Sequence, residues 1–152
     1  AYCGEAGFEI LKDGTWLHQG TRITREPMKR LFASILRKDG DGETYLVTPV
    51  EKIRVLVEDA PFVAVRVDRV GEGEGQTLVF TTEVGDVVKA GSTNPIRVAY
   101  DGETPRPYVL VRGRLEARIL RAPFYEMVEW SEMREGRLGV WSGGVWWELG
   151  AG

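Results

Sequence analysis

The sequence contains a single cysteine, Cys3, and a single histidine, His18, and this scarcity excludes several kinds of site. A disulfide needs a second cysteine, and a zinc site needs three or four ligands drawn largely from these residue types. We therefore expect no disulfide framework, no metal centre and no bound cofactor. A catalytic Cys3–His18 pair is disfavoured, because nothing marks a third residue that would orient the histidine. A reducing cytoplasm fits the lone cysteine and is the expected location.

Long apolar runs and basic stripes are also missing. No apolar segment approaches the ~18–20 residues that a membrane-spanning helix needs. Basic and acidic residues are interspersed at a formal net charge of -3, whereas nucleic-acid binding needs a basic face. Neither a membrane nor a nucleic acid is therefore expected as a partner. The chain begins at Ala1 without Met or a signal segment, so we infer no export and allow for residues upstream.

What the 152 residues do contain is enough apolar material for a core, at 43% of the chain with five Trp. Short alternating runs separated by glycine turns predict strands, and two apolar stripes at helical spacing predict two helices. We therefore predict a β-rich α+β protein of two lobes, residues 1–60 and residues 61–152. Each lobe is predicted to contain one copy of a duplicated strand-turn-strand, helix, strand-turn-strand unit.

The first copy starts with a hairpin whose turn is Asp13-Gly14. Thr24 is the expected N-cap of the helix that follows. The apolar face of this helix is predicted from Met28, Leu31, Phe32, Ile35 and Leu36. Residues 39–42, Asp-Gly-Asp-Gly, are expected to end the helix. Two strands, residues 45–48 and 53–57, complete the copy.

The second copy repeats this order near the C-terminus. A hairpin turns at Arg112-Gly113, Pro123 opens a helix, and Gly136 is expected to close it. Two strands then flank the turn of residues 142–144, Ser-Gly-Gly. Between the copies, residues 62–100 predict four short strands, at 62–67, 77–82, 86–89 and 96–100.

The turn of residues 48–52 is the first candidate site, because Thr48, Glu51 and Lys52 bring a hydroxyl, a carboxylate and an ammonium group together. A surface hairpin with a weak ion pair is the alternative. The duplication makes residues 142–144 its counterpart, and glycines there permit close approach of a ligand or a backbone. If the lobes pair about a pseudo-twofold axis, the two turns face one another across an interface, where ligand pockets often form.

Three other features each allow a functional and a structural interpretation. Tyr108 and Arg112 share a strand face and could hold a ring and an anion, although a solvated edge explains them equally well. Residues 71–75 look like a phosphate loop, but two glutamates and a following strand favour a plain hairpin loop. Trp146 and Trp147 are adjacent in one strand, so one of them must point away from the core.

Several short segments spread along nearly the whole chain carry a family resemblance. They are residues 13–16, 31–34, 45–52, 58–62, 106–109, 111–113 and 138–144. In these segments the chain resembles the bacterial family known as domain of unknown function twelve eighty-five. The resemblance implies a duplicated core, a second lobe similar to pleckstrin-homology folds, and a small-ligand site between the lobes. It further implies a nucleotide-like ligand and a role in signal transduction, and it brings no catalytic residues.

Three functions follow, with binding favoured over catalysis. The first is a sensor that holds a small anionic, nucleotide-like ligand between its lobes. The residues predicted to line that site are Thr48, Glu51, Lys52, Tyr108, Arg112 and Trp16. In this hypothesis the two cations contact phosphate and an aromatic side chain contacts a ring. The second function is a module that binds a protein partner or a second copy of the chain. The third is a hydrolase with Glu51 or Asp59 as its base.

Overall fold

The computed structural model describes residues 2–151, with side chains from residue 6 onward. The elements in chain order are β1 (Tyr2–Ile10), β2 (Trp16–His18), β3 (Thr21–Arg22), α1 (Glu26–Ser34), β4 (Leu36–Lys38), β5 (Thr44–Val47), β6 (Glu51–Val57), β7 (Phe62–Val70), a 3-10 turn (Gly73–Gly75), β8 (Thr77–Thr82), β9 (Val87–Lys89), β10 (Ile96–Asp101), β11 (Thr104–Arg112), β12 (Leu115–Ile119), α2 (Arg121–Glu129), β13 (Glu132–Arg134), β14 (Arg137–Ser142) and β15 (Val145–Ala151). The β-rich α+β prediction is confirmed.

The first lobe is a six-stranded sheet in the order β3-β2-β1-β6-β5-β4. The predicted hairpin at Asp13-Gly14 joins β1 to β2, because Gly14 adopts a φ of 92° and the Asp13 carboxylate accepts the Thr15 N–H at 2.9 Å. The last strand of the unit, β6, returns beside β1 and pairs with it in parallel. The sheet therefore joins the two ends of the first copy.

Helix α1 is shorter than its apolar periodicity predicts. Arg25 occupies the N-cap position expected for Thr24, and the helix ends at Ser34. Leu36 belongs to strand β4, which pairs with β5 around residues 39–42. The Asp-Gly pairs in that segment form a hairpin turn, with the Asp41 carboxylate accepting the Glu43 N–H at 2.9 Å. Strand pairing on both sides of this turn replaces the last helical turn that the side-chain spacing predicts.

The second lobe contains a six-stranded sheet in the order β10-β11-β12-β7-β8-β9. All four strands predicted between residues 62 and 100 are present as β7, β8, β9 and β10. The opening hairpin of the second copy, β11 and β12, joins this sheet through a parallel pairing of β12 with β7. Helix α2 starts two residues before Pro123 and packs on β7. It ends at Glu129, so Gly136 forms the turn between β13 and β14 and does not stop the helix.

Strands β13, β14 and β15 form a separate sheet that docks on the second lobe. Equivalent positions of the two predicted copies have the same strand register, since Leu46 pairs with Ile53 as Val140 pairs with Trp147, and the duplication itself stays a prediction. The two copies differ in how they close. In the first copy β6 returns to β1, whereas in the second copy β15 pairs with β14 and not with the opening hairpin.

The adjacent tryptophans point to opposite faces of this third sheet. Trp147 packs against the buried core, and its indole N–H donates to the Ser142 carbonyl at 3.0 Å. Trp146 lies edge-on to Trp141 at 5.4 Å, with the Arg134 guanidinium 5.2 Å from its ring. The outward tryptophan is thus covered by neighbours from its own sheet.

Candidate functional site

Lys52 lies within the first lobe and is engaged by Asp39. Its ammonium group contacts the Asp39 carboxylate and sits 4.2 Å from the centre of the Tyr45 ring. Arg37 donates to the same carboxylate at 2.6 Å. These hydrogen bonds, the one from Arg37 first, lower the pKa of Asp39 to about 2. The cation predicted to contact a ligand therefore has a partner on its own sheet.

Thr48 and Glu51 close the turn between β5 and β6 by bonding each other. The Thr48 hydroxyl accepts the Glu51 N–H at 3.0 Å, and the Thr48 N–H donates to the Glu51 carbonyl at 2.9 Å. The Glu51 side chain is exposed. In this arrangement Thr48 acts on the backbone of its own turn.

The equivalent turn of the second copy, residues 142–144, packs against its own lobe. The buried Ser142 hydroxyl accepts the Leu78 N–H and donates to the Ala90 carbonyl, both at 2.8 Å. A Cβ at Gly143 would lie 2.8 Å from that same carbonyl oxygen. The glycine thus makes room for a neighbouring backbone, and this turn does not present an open wall to a ligand.

Neither aromatic residue predicted to stack on a ligand presents a free ring. Trp16 is 0% exposed and lies 6.1 Å from Phe32, ring centre to ring centre. Tyr108 is 4% exposed and donates its phenol O–H to Asp59 at 2.6 Å. Burial, and then this hydrogen bond, raise the pKa of Tyr108. The guanidinium of Arg97 covers the tyrosine ring at 4.4 Å.

Arg112 is the predicted residue that does reach between the lobes. It donates to the Ala33 carbonyl near the end of α1 at 2.6 Å. Its other terminal nitrogen lies 3.7 Å from the Asp86 carboxylate, and its guanidinium lies 5.4 Å from the centre of the Phe62 ring. The other five predicted residues are not gathered around it, and their ligand-binding role stays a prediction.

Arg112 lines a pocket of about 180 Å³ between β4 of the first lobe and the β11–β12 turn of the second. We call it the arginine pocket; its lining residues are Leu36, Arg37, Lys38, Arg112, Gly113, Arg114 and Leu115. Four of the seven are basic and none is acidic. Lys38 and Arg114 make no ion pair with the residues that the structure describes. Asp39 and Asp86 offset part of the charge through Arg37 and Arg112.

A second opening between the lobes has a volume of about 260 Å³ and is called the Glu83 cleft. Residues on its first-lobe side are Asp13, Gly14, Thr15, Arg22, Ile23, Thr24, Glu26 and Lys29, and on its second-lobe side Val63, Val65, Glu83 and Leu120. One oxygen of Glu83 accepts the Val63 N–H at 2.6 Å, while the other is buried without a partner. This desolvation raises the pKa of Glu83 to about 7, against the lowering effects of the Val63 bond and the Lys29 charge.

Sequence reasoning missed both openings. Glu83 stands in a Thr-Thr-Glu-Val-Gly-Asp segment, which is typical of an exposed hairpin turn. Arg37 and Lys38 follow the apolar stripe of α1 and precede the predicted helix stop at residues 39–42, so the sequence pattern places them in the helix. Their partners lie about 75 residues away in the chain, on the β11–β12 turn. No local pattern marks contacts of that kind.

Two models of one family cover the chain. The model described as "Domain of unknown function (DUF1285), N-terminal domain" matches residues 1–60, and "Protein of unknown function (DUF1285), C-terminal domain" matches residues 61–149. The chain belongs to the DUF1285 family. The resemblance seen in the sequence motifs is thereby confirmed.

Two solved DUF1285 structures are similar to this chain. A family protein from Silicibacter pomeroyi DSS-3 is 49% identical with a TM-score of 0.93, covering 97% of this chain and 81% of that one. A family protein from Shewanella baltica OS155 is 31% identical with a TM-score of 0.65, covering 82% of this chain and 91% of that one. No curated protein matches this DUF1285 chain.

Neither a cluster of metal ligands nor a membrane-spanning helix is present in residues 2–151 of this DUF1285 protein, the range that the structure describes. Within that range no three His, Cys, Asp or Glu side chains are grouped so that they could hold a metal ion. No described helix is long and apolar enough to span a bilayer. The exposed His18 stacks on Phe8 at 4.4 Å, and the Cys3 side chain lies outside the described residues.

Proposed function

We propose that this protein binds a small phosphate-bearing ligand in the arginine pocket and reports its presence as a sensor. The observation that carries the proposal is the composition of the pocket wall, with Arg37, Lys38, Arg112 and Arg114 and no carboxylate. Guanidinium groups match the geometry of phosphate oxygens and can bind them in pairs. An anion is the ligand class that relieves the mutual repulsion of these cations.

The contacts of Arg112 give the proposal a means of signalling. This side chain comes from the second lobe and holds the Ala33 carbonyl, near the C-terminal end of α1 in the first lobe. A bound phosphate competes with the Asp86 carboxylate, which is 3.7 Å from the same guanidinium. Binding is therefore coupled to the contact between α1 and the second lobe, and a ligand can change how tightly the lobes pack.

The finer parts of the hypothesis concern ligand and setting. We propose a nucleotide-like ligand, a cytoplasmic location and a role in signal transduction; all three come from the family resemblance and from the lone cysteine. The likeness of the second lobe to pleckstrin-homology folds also stays a prediction. The pocket wall contains no aromatic side chain, so a base would lie outside it and the phosphate group would supply most of the affinity.

Isothermal titration calorimetry with pyrophosphate, AMP, GMP and cyclic nucleotides tests the assignment. Arg114→Ala removes an exposed pocket cation that has no ion pair among the described residues, and it should weaken binding ~10- to 100-fold. Arg66→Ala is the matched control, because Arg66 is also exposed on the second lobe but pairs with Asp68 and lines neither opening.

Lys52→Ala distinguishes binding in the arginine pocket from binding at the turn of residues 48–52. If the ligand occupies the arginine pocket, this substitution leaves affinity nearly unchanged, since Lys52 is held by Asp39. Loss of binding in Lys52→Ala with full binding in Arg114→Ala would move the site to the turn of residues 48–52. Absence of binding by every phosphate compound would reject the proposal.

Glu83 favours a second candidate function, catalysis in the Glu83 cleft. A carboxyl group with a pKa of about 7 can take up or release a proton near neutral pH, as a general base or acid must. Glu51 is exposed on a turn, and Asp59 is occupied by Tyr108 and Arg118. A hydrolase would therefore use Glu83. Assays with phosphate ester and amide substrates should then show turnover that Glu83→Gln abolishes, and lack of turnover would reject this candidate.

The protein-interaction hypothesis stays a prediction for a protein partner or a second copy of the chain. Met28 and Leu31 belong to the predicted apolar face of α1, and both are exposed in the structure. Light scattering after size-exclusion chromatography measures self-association, with a dimer mass as the supporting result and a monomer mass at high concentration as the contrary one.

A further inference from the structure

The second lobe has a cationic pocket of its own, and none of its lining residues lines either opening between the lobes. It has a volume of about 340 Å³ and lies where α2 begins, beside β11 and the end of β12. We call it the α2 pocket; its lining residues are Thr104, Pro105, Arg106, Pro107, Arg118, Ile119, Arg121, Phe124 and Tyr125. Three arginines and two aromatic residues are present, and none of the nine is acidic.

The charges in the α2 pocket are only weakly offset. Arg106 and Arg121 make no ion pair with any residue that the structure describes. Arg118 lies 3.5 Å from the Asp59 carboxylate, whose other oxygen accepts the Tyr108 phenol. Of the three guanidinium groups, that of Arg118 therefore has a carboxylate partner among the described residues, and the other two have none. Like charges gathered in this way repel one another, and an anion between them removes that cost.

Arg121 adds a second unfavourable feature. It is the first residue of α2, and the first turn of this helix contains no acidic residue. Helix N-termini carry partial positive charge and favour acidic neighbours, so an arginine there is disfavoured by the fold itself. The Arg121 side chain is exposed and makes no ion pair with the residues that the structure describes. A role in binding an anionic ligand would explain why an arginine occupies the first position of α2.

An apolar groove of about 580 Å³ continues from the α2 pocket. The two cavities share Pro105 and Phe124 as common walls. The groove runs between α2 and the third sheet, and its apolar walls are completed by Tyr100, Val128, Leu138 and Leu149. Glu103 and Arg137 also line it, and Arg137 is paired with Glu148 at 2.5 Å. One surface thus changes from cationic at the start of α2 to mainly apolar beyond Phe124.

We propose that the second lobe binds an anionic amphiphile, with its phosphate or carboxylate group among Arg106, Arg118 and Arg121 and its apolar chain in the groove. The ligand is a free molecule and not a lipid within a bilayer, because the groove has one wall on α2 and another on the third sheet and so offers a cleft for one chain instead of a flat face. This site is separate from the arginine pocket, and neither proposal depends on the other.

Chain-length dependence is the direct test. Calorimetric titrations of the full chain would compare octyl phosphate, below its micelle concentration, with ethyl phosphate. Each methylene buried in the groove contributes about fourfold to affinity, so octyl phosphate should bind at least ~10-fold more tightly even if few methylenes are buried. Equal affinities, or binding by neither compound, would overturn the proposal. This comparison uses the unmodified protein and does not depend on the folding of a variant.

Substitutions then locate the site. Arg121→Gln should weaken octyl phosphate ~10-fold or more, whereas Arg66→Gln, an exposed arginine outside both cavities, should not. In Arg114→Gln, any phosphate binding in the arginine pocket is weakened for both compounds, but the gain of octyl over ethyl phosphate should persist. Loss of that gain in Arg114→Gln, with the gain retained in Arg121→Gln, would assign the chain-length effect to the arginine pocket and refute the inference. A final experiment measures binding of the protein to vesicles that contain phosphatidic acid. Binding to vesicles without binding to octyl phosphate would contradict a free ligand.

Discussion

Replacing Glu83 by glutamine removes the ionisation of a carboxyl group that the fold keeps largely out of water. Its Oε2 atom accepts the Val63 N–H at 2.6 Å, and its Oε1 atom is buried without a partner. The carbonyl oxygen of a glutamine can retain the bond from Val63. The substitution therefore tests the charge of Glu83 more than its shape.

The expected magnitude follows from the pKa. The pKa of Glu83 rises from 4.5, the ordinary value for a glutamate side chain, to about 7 in the fold, and burial is the largest cause. The folded protein consequently holds a proton that the unfolded chain has released between these two pH values. The free energy of unfolding must then fall as pH rises through this range, by ~1.4 kcal/mol per pH unit. The total over the range is about 3 kcal/mol, and the loss is complete above the folded-state pKa.

Urea denaturation at pH 5, 6, 7 and 8 measures this effect. The free energy of unfolding of the wild type should fall from pH 5 to pH 8. In Glu83→Gln the part of this fall that comes from ionisation of residue 83 is removed, so its free energy of unfolding should change little with pH. Glu126→Gln, which alters an exposed carboxyl on α2, serves as the control and should follow the wild type. The slope with pH is the readout, because a constant offset between variants also includes any change in packing. Parallel profiles for the wild type and Glu83→Gln would refute the reasoning.

Two further substitutions test the third sheet, the first its docking on the second lobe and the second the packing of its outward face. Ser142→Ala removes two hydrogen bonds and leaves the buried Leu78 N–H unpaired, so the free energy of unfolding should fall by ~1–3 kcal/mol in a urea titration; an unchanged midpoint would contradict this. Gly139→Ala places a Cβ where the Trp146 indole lies, so that ring must move. Tryptophan fluorescence should then shift to longer wavelength as the indole meets water, and an unshifted spectrum with unchanged stability would count against the packing described here.

Local chemistry made much of the fold predictable. The Asp13-Gly14 turn and the strand of residues 77–82 follow from turn residues and alternating side chains, and the structure reproduces both. The predicted end of α1 was wrong, and the reason is physical. Residues 35–38 continue the helical apolar spacing, yet the Asp-Gly pairs that follow can form either a helix stop or a hairpin turn. Pairing of β4 with β5 decides between the two, and it depends on partners that the spacing does not show.

The candidate site was less predictable, because its residues meet only through tertiary packing. Arg112 was identified from its neighbourhood on one strand, but its companions Arg37 and Lys38 come from the other lobe. Lys52 looked available in the sequence, and the fold pairs it with Asp39. The sequence around Glu83 is typical of a surface turn, but in the fold the first-lobe hairpin at Gly14 covers this side chain. A Cβ added at Gly14 would lie 3.7 Å from the Glu83 carboxyl carbon. Charge partners and burial are properties of the assembled lobes.

The central claim, that a phosphate-bearing ligand binds between the lobes, is tested most directly by backbone amide chemical-shift mapping during a pyrophosphate titration. If pyrophosphate binds in the arginine pocket, we expect saturable shifts on both of its sides, at residues 36–38 and at residues 112–115. We also expect a smaller shift at the end of α1, where Arg112 holds the Ala33 carbonyl. Shifts limited to the turn of residues 48–52, or no saturable shift at either wall of the pocket, would contradict this claim.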